Sequence, residues 1–333
     1  MSETRYRGRL ATLIENDLVR VTVLHEGGHI AEIRDLESGV NPLWTPPWES
    51  IEPSTYDRRK HPEYGADSES KLLSGIMGHN LCMDIFGPPS EEEAAAGLTV
   101  HGEASIAAYS ITGSETALTA RARMPEAQLQ VERQIRLAGR VIEVVETVEN
   151  ESATDRPIAW TEHVTLGPPF LEKGATEFRA PVTKCQVLEA GLGDFERFTD
   201  TPVSGGFASY LMDPTRDAAF FVAWSQATRV ALGYLWRRAD FPWLGVWEEN
   251  YSRTGPPWNG RTLTRGMEFG ASPVAETRRQ MIERGSLFGV PAFRWIPART
   301  RVEVRYGALI QGALGSCPAG LVRMPSGEVR FEY

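Results

Sequence analysis

The groups in this sequence that could move protons near neutral pH are its six histidines and a few carboxylates in unusual settings. His163 lies in Ile158-Ala159-Trp160-Thr161-Glu162-His163-Val164-Thr165-Leu166, a strand-like run ended by Gly167-Pro168-Pro169. Alternation puts Ile158, Trp160, Glu162 and Val164 on one face, and Ala159, Thr161, His163 and Thr165 on the other. The second face is small and polar, which suits a site lined by a sheet. His101 follows Leu98-Thr99-Val100 and precedes Gly102, where backbone can approach closely. Glu268 stands between Met267 and Phe269, flanked by Gly266 and Gly270, and burial there would poise it for proton transfer. Taken singly, His101 and His163 read first as buried, hydrogen-bonded histidines, and Glu268 as an edge-strand side chain in solvent.

The remaining candidates say less. His25 and His29 flank the Gly27-Gly28 turn and read as surface residues; His61 precedes Pro62 in a long loop. His79, in Gly78-His79-Asn80, fits a structural hydrogen bond as well as a ligand contact. Glu248 and Glu249 follow Trp247, and strand neighbours point to opposite faces. At most one joins a site on the Trp243–Trp247 face, namely Glu249 unless the strand bends. There is no phosphate loop, Rossmann fingerprint, Gly-x-Ser-x-Gly elbow, His-Glu-x-x-His, or His/Cys pair at metal-ligand spacing. A ligand set of His79, His101 and His163 stays open, because sheet neighbours need not be close in sequence; no metal or cofactor is expected.

The elements that must position these groups are strands. From Glu126 to Leu137 apolar and polar residues alternate, Ala138-Gly139 turns the chain, and Val141–Val148 returns as a more buried strand. Similar hairpins are Leu18–Leu24 with His29–Arg34, Ile106–Ile111 with Ala117–Arg123, and Ala218–Trp224 with Val230–Trp236. Trp243–Trp247, Leu263–Phe269 and Val302–Ile310 follow. Helices are few: a capping box at Ser90-Glu91-Glu92-Glu93 stopped by Gly97, and a second helix opened by Ser272-Pro273 and stopped by Gly285. Turns every eight to twelve residues without a longer repeat predict an all-β sandwich or barrel. Asn41–Gly65, with five prolines and Trp44, Trp48 and Tyr56, is the longest irregular piece and reads as a binding loop. No linker divides the chain, so one large antiparallel domain over residues 1–333 is expected.

Composition narrows the partners. A net charge of −9, with Arg58-Arg59-Lys60 the nearest thing to a basic arm, disfavours nucleic acid. No apolar run reaches the ~18 residues of a membrane span, and the N-terminus lacks a signal-peptide stretch. The three cysteines, Cys82, Cys185 and Cys317, read as reduced thiols, so a cytoplasmic protein is expected. Trp243, Trp247 and Trp258 fall close together amid Gly and Pro, and Trp44 and Trp48 lie in the long loop. Aromatic faces of this kind can wall a sugar site, although most of the nine tryptophans read as core.

The order His101, His163, Glu268 resembles the aldose 1-epimerase (galactose mutarotase-like) superfamily, whose members are large antiparallel β-supersandwiches. Gly97-Leu98-Thr99-Val100-His101-Gly102 is similar to the family's His-Gly segment. Glu162-His163-Val164-Thr165-Leu166-Gly167-Pro168-Pro169-Phe170 is similar to its second histidine strand, and Gly266-Met267-Glu268-Phe269-Gly270 to the strand with its catalytic glutamate. The resemblance extends over most of the chain. It implies a sugar anomer exchange in which Glu268 is the base at O1, His163 the acid at the ring oxygen and His101 a hydrogen-bond donor. The family's arginine-bearing segment is missing; Gly78-His79-Asn80-Leu81-Cys82-Met83-Asp84 stands there, so His79, Asn80 and Asp84 are expected to contact hydroxyls. Trp247 and Glu248 or Glu249 are expected to complete the sugar contacts. A divergent subgroup is implied, acting on a hexose or derivative that is not phosphorylated. A sugar-binding protein without turnover and a glycan-cleaving enzyme are the alternatives; the absence of a second catalytic module and of a secretion signal counts against the latter.

Overall fold

The alternation between Ala117 and Asn150 becomes a meander of three long strands, Ala117–Met124, Leu129–Ala138 and Val141–Asn150, in the structure, a computed structural model describing Met1–Tyr333. Leu129, Val131, Ile135 and Leu137 are buried while Gln130, Gln134 and Arg136 face outward, as period two requires. The meander lies in an eight-stranded antiparallel sheet in the order Glu177–Arg179, Ala218–Ser225, Val230–Arg237, Arg301–Gln311, Val141–Asn150, Leu129–Ala138, Ala117–Met124, Ser110–Gly113. Facing it is a ten-stranded sheet that begins Ser2–Tyr6, Arg9–Glu15, Val19–Leu24, Ile30–Asp35 and His79–Cys82. It continues through Thr161–Leu166, Leu263–Gly270, Trp243–Asn250, Ser204–Met212 and Val182–Glu189. Inner faces of both sheets supply one apolar cluster running from Ile14 to Ile310 in sequence. This is the all-β sandwich expected.

Three elements differ in extent from the sequence-based expectation. Ile106–Ile111 contributes only Ser110 and Ile111 to a strand, because the amides of Ile106 and Ala107 turn back to the Glu103 carbonyl. The run Ile158–Leu166 is two strands: Arg156–Ile158 pairs with Arg294–Ile296, and Thr161–Leu166 enters the large sheet. The late helix begins at Arg278 rather than at Pro273. Its capping box is Thr277 with Gln280, and the preceding carbonyl of Pro273 is held by the Ser209 hydroxyl. It ends at Gly285, and the Glu91–Ala95 helix has the Ser90–Glu93 box and is followed by Gly97, as the sequence indicated.

The outer face of the ten-stranded sheet is covered in two patches. Trp44, Leu72, Leu73, Ile76 and Trp258 form one, brought there by the Asn41–Gly65 loop, the segment after it, and the connection between Asn250 and Leu263. Trp44 is pinned to the sheet by its amide to the Thr165 carbonyl (2.8 Å), and Gly167 leaves room for its ring. Cys82, Phe86, Ala159, Phe207 and Met281 form the other. Between the patches the sheet face is open. No helix is long and apolar enough to cross a membrane.

Candidate functional site

Strand register places five residues in a row across the ten-stranded sheet. His163 lies opposite Asn80 on one side and Glu268 on the other; Glu268 lies opposite Gly245, and Gly245 opposite Ser209. His163 and Glu268 therefore point to the same outer face, in the gap between the two patches. Their side chains meet, His163 Nε2 to Glu268 Oε1 at 3.0 Å. His163 Nδ1 contacts Thr165 Oγ1 at 2.9 Å, two residues along the same face. The hydroxyl can donate to a neutral ring or accept from a protonated one, so it orients both charge states. Glu268 is on a central strand and only 3 % exposed, not on an edge in solvent. The neighbouring glycine makes its pose possible: a Cβ at Gly266 would lie 2.5 Å from Glu268 Oε1.

His101 reaches the same place from a loop. Its φ is +71°, followed by Gly102 at +75°, and a Cβ at Gly102 would lie 2.2 Å from the Met83 carbonyl oxygen. Two left-handed residues in succession turn the loop sharply, and a non-glycine residue there stores strain that the surrounding contacts must hold. The His101 carbonyl accepts from Met83 N, and the His101 ring lies 4.9 Å from that of His163. Asn80 Nδ2 donates to His101 Nδ1 at 3.3 Å, which leaves Nε2 as the protonated nitrogen. Burial, with His163 nearby, pushes the His101 imidazole well below its ordinary range, so it is a neutral donor.

Behind the row, between the sheets, is a buried polar network. Arg133 bonds Glu146 (2.5 Å) and Glu162 (3.0 Å), the Tyr306 hydroxyl lies 3.0 Å from an oxygen of each carboxylate, and Trp160 Nε1 donates to Glu146. His79 belongs here: Nε2 meets Glu162 at 2.8 Å and Nδ1 meets the Tyr234 hydroxyl at 3.2 Å. Burial holds His79 neutral and pushes the Glu146 carboxyl up to about 8, Arg133 opposing and Glu162 adding to the rise. One arginine and two carboxylates in a dry site balance best when one carboxyl keeps its proton. The network ties the strand carrying His163 to the opposite sheet.

The cleft over the row has a volume of about 460 Å³, within the usual range for small-molecule sites. Trp44, Trp258 and Trp247 wall one side; Trp44 and Trp258 are stacked at 6.1 Å and Trp247 meets Trp258 edge-on. Arg253, from the turn after Asn250, lies over Trp258 and Trp247 at 4.8 and 5.4 Å from their ring centres. Its guanidinium contacts Glu69 at 3.3 Å and Glu249 at 3.8 Å. Burial raises the Glu69 carboxyl above its ordinary value, with Arg253 opposing. On the other side Glu276, Gln280 and Arg284 reach in from the segment around the Arg278–Arg284 helix.

The cleft therefore gathers His101, His163, Glu268 and Trp247, and not the other expected contacts. His79 is corrected to the inter-sheet network, since alternation turns it away from Asn80; it shares no ligand set with His101 and His163. Asn80 is fully buried beneath His101 and supports it instead of touching the cleft. Asp84 is held by Arg278 and Arg156, which outweigh its burial and keep it below the ordinary carboxylate range. Glu248 points inward to Arg265 and the Gly193 amide. Glu249 is on the Trp247 face, but both its oxygens hold the Ser252–Arg253 turn. His29, expected at the surface, is buried against the Ser105 carbonyl, and burial pushes it down to about 3. Arg253, Glu69, Glu276 and Arg284 were not legible in the sequence, because the first three lie on irregular segments and Arg284 on a short helix whose placement depends on the assembled sheet.

The family model described as a domain of unknown function (DUF4432) matches residues 38–256. No curated protein matches the chain. Among solved structures, a Klebsiella pneumoniae protein provisionally named an aldose 1-epimerase superposes with TM-score 0.72 at 14 % identity, covering 92 % of this chain and 80 % of that one. A galactose mutarotase-like protein from Clostridium acetobutylicum gives TM-score 0.63 at 13 % identity, covering 93 % and 98 %. A galactose mutarotase related enzyme from Lactobacillus acidophilus gives TM-score 0.61 at 12 % identity, covering 92 % and 99 %. The fold is galactose mutarotase-like, in a divergent version.

Proposed function

We propose that this chain, which belongs to the DUF4432 family, is a cofactor-independent isomerase of the aldose 1-epimerase type acting on a hexose or hexose derivative. The observation that carries the proposal is the contact of His163 Nε2 with Glu268 Oε1, with the neutral His101 ring beside it in a cleft walled by tryptophan. A base and an acid at hydrogen-bond separation fit the O1 and ring-oxygen atoms of a pyranose, which share the anomeric carbon. Entry of the sugar replaces the direct contact with two hydrogen bonds: O1–H donates to Glu268, and protonated His163 donates from Nε2 to the ring oxygen. Glu268 takes the O1 proton as C1–O1 becomes a carbonyl, the bond from C1 to the ring oxygen breaks, and that oxygen takes the His163 proton. Rotation about C1–C2 presents the other face, and closure runs the transfers backwards. His101 donates a hydrogen bond that helps polarise the ring oxygen. Each such group is worth roughly 10²–10⁴-fold.

The test is anomer exchange followed by NMR on a panel of free sugars, wild type against Glu268→Gln. Acceleration over buffer by the wild type, lost in the variant, is the expected result. No acceleration on any sugar, with sugar binding retained, would leave a non-catalytic carbohydrate-binding protein as the better account. Equal acceleration by both proteins would remove Glu268 from its role.

A further inference from the structure

The turn that carries His101 into the cleft is left-handed at two successive residues, so contacts outside the turn must hold it there. They come from the strip of residues 83–87, which leaves the strand His79–Cys82. Met83 N donates to the His101 carbonyl at 3.0 Å, and the Met83 carbonyl accepts from Ala104 N at 3.2 Å. Gly102 packs on the same strip: a Cβ there would lie 2.2 Å from the Met83 carbonyl oxygen and 2.8 Å from Asp84 N. On its far side the strip abuts the cleft wall, since a Cβ at Gly87 would lie 2.3 Å from Glu276 N. The strip is fixed in turn by Asp84, whose side chain is fully buried. One Asp84 oxygen accepts from Arg278 Nη1 at 2.7 Å and from Arg156 Nη2 at 3.1 Å. Arg278 Nε donates to Glu93 at 2.8 Å. The Glu93 carbonyl accepts from Leu98 N at 3.0 Å, where the chain runs on towards His101. Arg278 also opens the helix that brings Gln280 and Arg284 to the cleft. One guanidinium thus joins three segments, two of which lead to His101. Two carboxylates and two guanidiniums balance in this cluster, and none of the four residues lines the cleft.

We infer that Asp84 and Arg278 are positioning residues for His101: their ion pair fixes the strip that sets the His101 backbone, and so the place of its ring in the cleft. This rests on the epimerase reading for what His101 does in the reaction, but not for the geometry. The His101 ring has one side-chain hydrogen bond, from Asn80 at 3.3 Å, so the backbone largely decides where Nε2 points. A buried carboxylate bound by two arginines favours one arrangement of these segments. Any shift that parts it from them leaves a charge without its partner in a dry site. Apolar packing alone would hold the strip less sharply, because it is not directional.

The experiment measures anomer exchange in Asp84→Asn and Arg278→Lys, each alone and combined with His101→Ala. The imidazole nitrogen signals of the single variants are followed by NMR in parallel. Asp84→Asn keeps the shape and removes the charge; Arg278→Lys keeps the charge but cannot bond Asp84 and Glu93 as a fork. In either single variant kcat is expected to fall about 10- to 100-fold with KM within about twofold, as for a group misplaced by up to about 1 Å. In the His101→Ala background the same substitutions are expected to change kcat by less than about twofold, because a residue acting through His101 then has nothing to act on. The His101 ring signals are expected to move while those of His29 and His79 stay. An equal fall in both backgrounds overturns the inference, as does wild-type kcat in both single variants. Arg278→Lys, at a partly exposed side chain, decides the outcome should Asp84→Asn not fold. Should the wild type accelerate exchange on no sugar, the epimerase reading falls and the ring signals decide. Movement at His101 without His29 and His79 then keeps the positioning role, whereas unmoved signals, or all three moving alike, overturn it.

Discussion

His163 and Glu268 stand directly opposite one another on adjacent antiparallel strands, and their side chains meet at 3.0 Å. Two residues 105 positions apart in sequence are thereby fixed by strand register, in which a one-residue slip would send either side chain to the opposite face. The pair is built on central strands of the ten-stranded sheet, and of the three groups only His101 is supplied by a loop.

His163→Asn is expected to lower anomer exchange by about 10²–10⁴-fold, the worth of one general acid. Thr165→Val removes the partner of Nδ1 and is expected to cost about 0.5–1.5 kcal/mol in the transition state, a fall of about two- to twelvefold in kcat with KM little changed. Exchange rates by NMR check both; a Thr165→Val effect confined to KM would show that the hydroxyl binds sugar rather than orienting the ring.

Gly266→Ala puts a methyl 2.5 Å from Glu268 Oε1, so the carboxylate must move. Misplacement of a catalytic group by about 1 Å costs on the order of 10²-fold. Exchange is expected to fall by that factor while the far-ultraviolet spectrum stays native, and wild-type activity would show that the Glu268 pose is not needed.

Gly102→Ala meets both a φ of +75° and the Met83 carbonyl at 2.2 Å. The strain is expected to cost at least about 1–3 kcal/mol, read as a lower Tm, together with loss of exchange because His101 is carried by the same turn. A Tm equal to wild type would show that the loop relaxes freely.

Glu146 gives a pH dependence of stability. Its carboxyl is pushed from an ordinary 4.5 to about 8 by burial and Glu162 against Arg133, so between those values the folded state binds the proton and the unfolded chain does not. Its contribution is favourable at low pH and is lost as pH rises from about 4.5 through 8, by at most ~1.4 kcal/mol per pH unit. In Glu146→Gln that slope disappears, although Trp160 and Tyr306 lose part of their acceptor set. Urea denaturation at pH 5 and pH 8 is expected to show the variant less stable at the lower pH and to have closed or reversed the gap at the higher. A gap that stays constant would place the proton elsewhere in the network. His29 and His79, both held neutral by burial, act in the opposite sense, destabilising the fold as pH falls below about 6.5, so the comparison with the variant is what isolates Glu146.

Much of the sheet was legible because period-two alternation is a local signal, and it assigned His163 and Glu162 to opposite faces correctly. The same rule, applied from Asn80 to His79, would have sent His79 inward, but the four residues His79–Cys82 are all buried and carry no polar–apolar contrast. Glu249 shows a second limit. Its face was readable from Trp247, whereas its engagement by the Ser252 and Arg253 amides depends on a turn that alternation does not describe.

Local chemistry in the sequence determined the elements: where strands alternate, where Gly and Pro turn them, where Ser90 caps a helix and where Gly285 stops one. It also supplied the residue types of an acid–base site. Only the tertiary structure decided which of six histidines faces the cleft, that Glu268 is central rather than at an edge, and that Arg253 from a turn and Arg284 from a helix reach the site. The physical reason is that strand pairing and loop course are set by long-range burial and hydrogen bonding, which join residues far apart in sequence and leave no periodic trace in it.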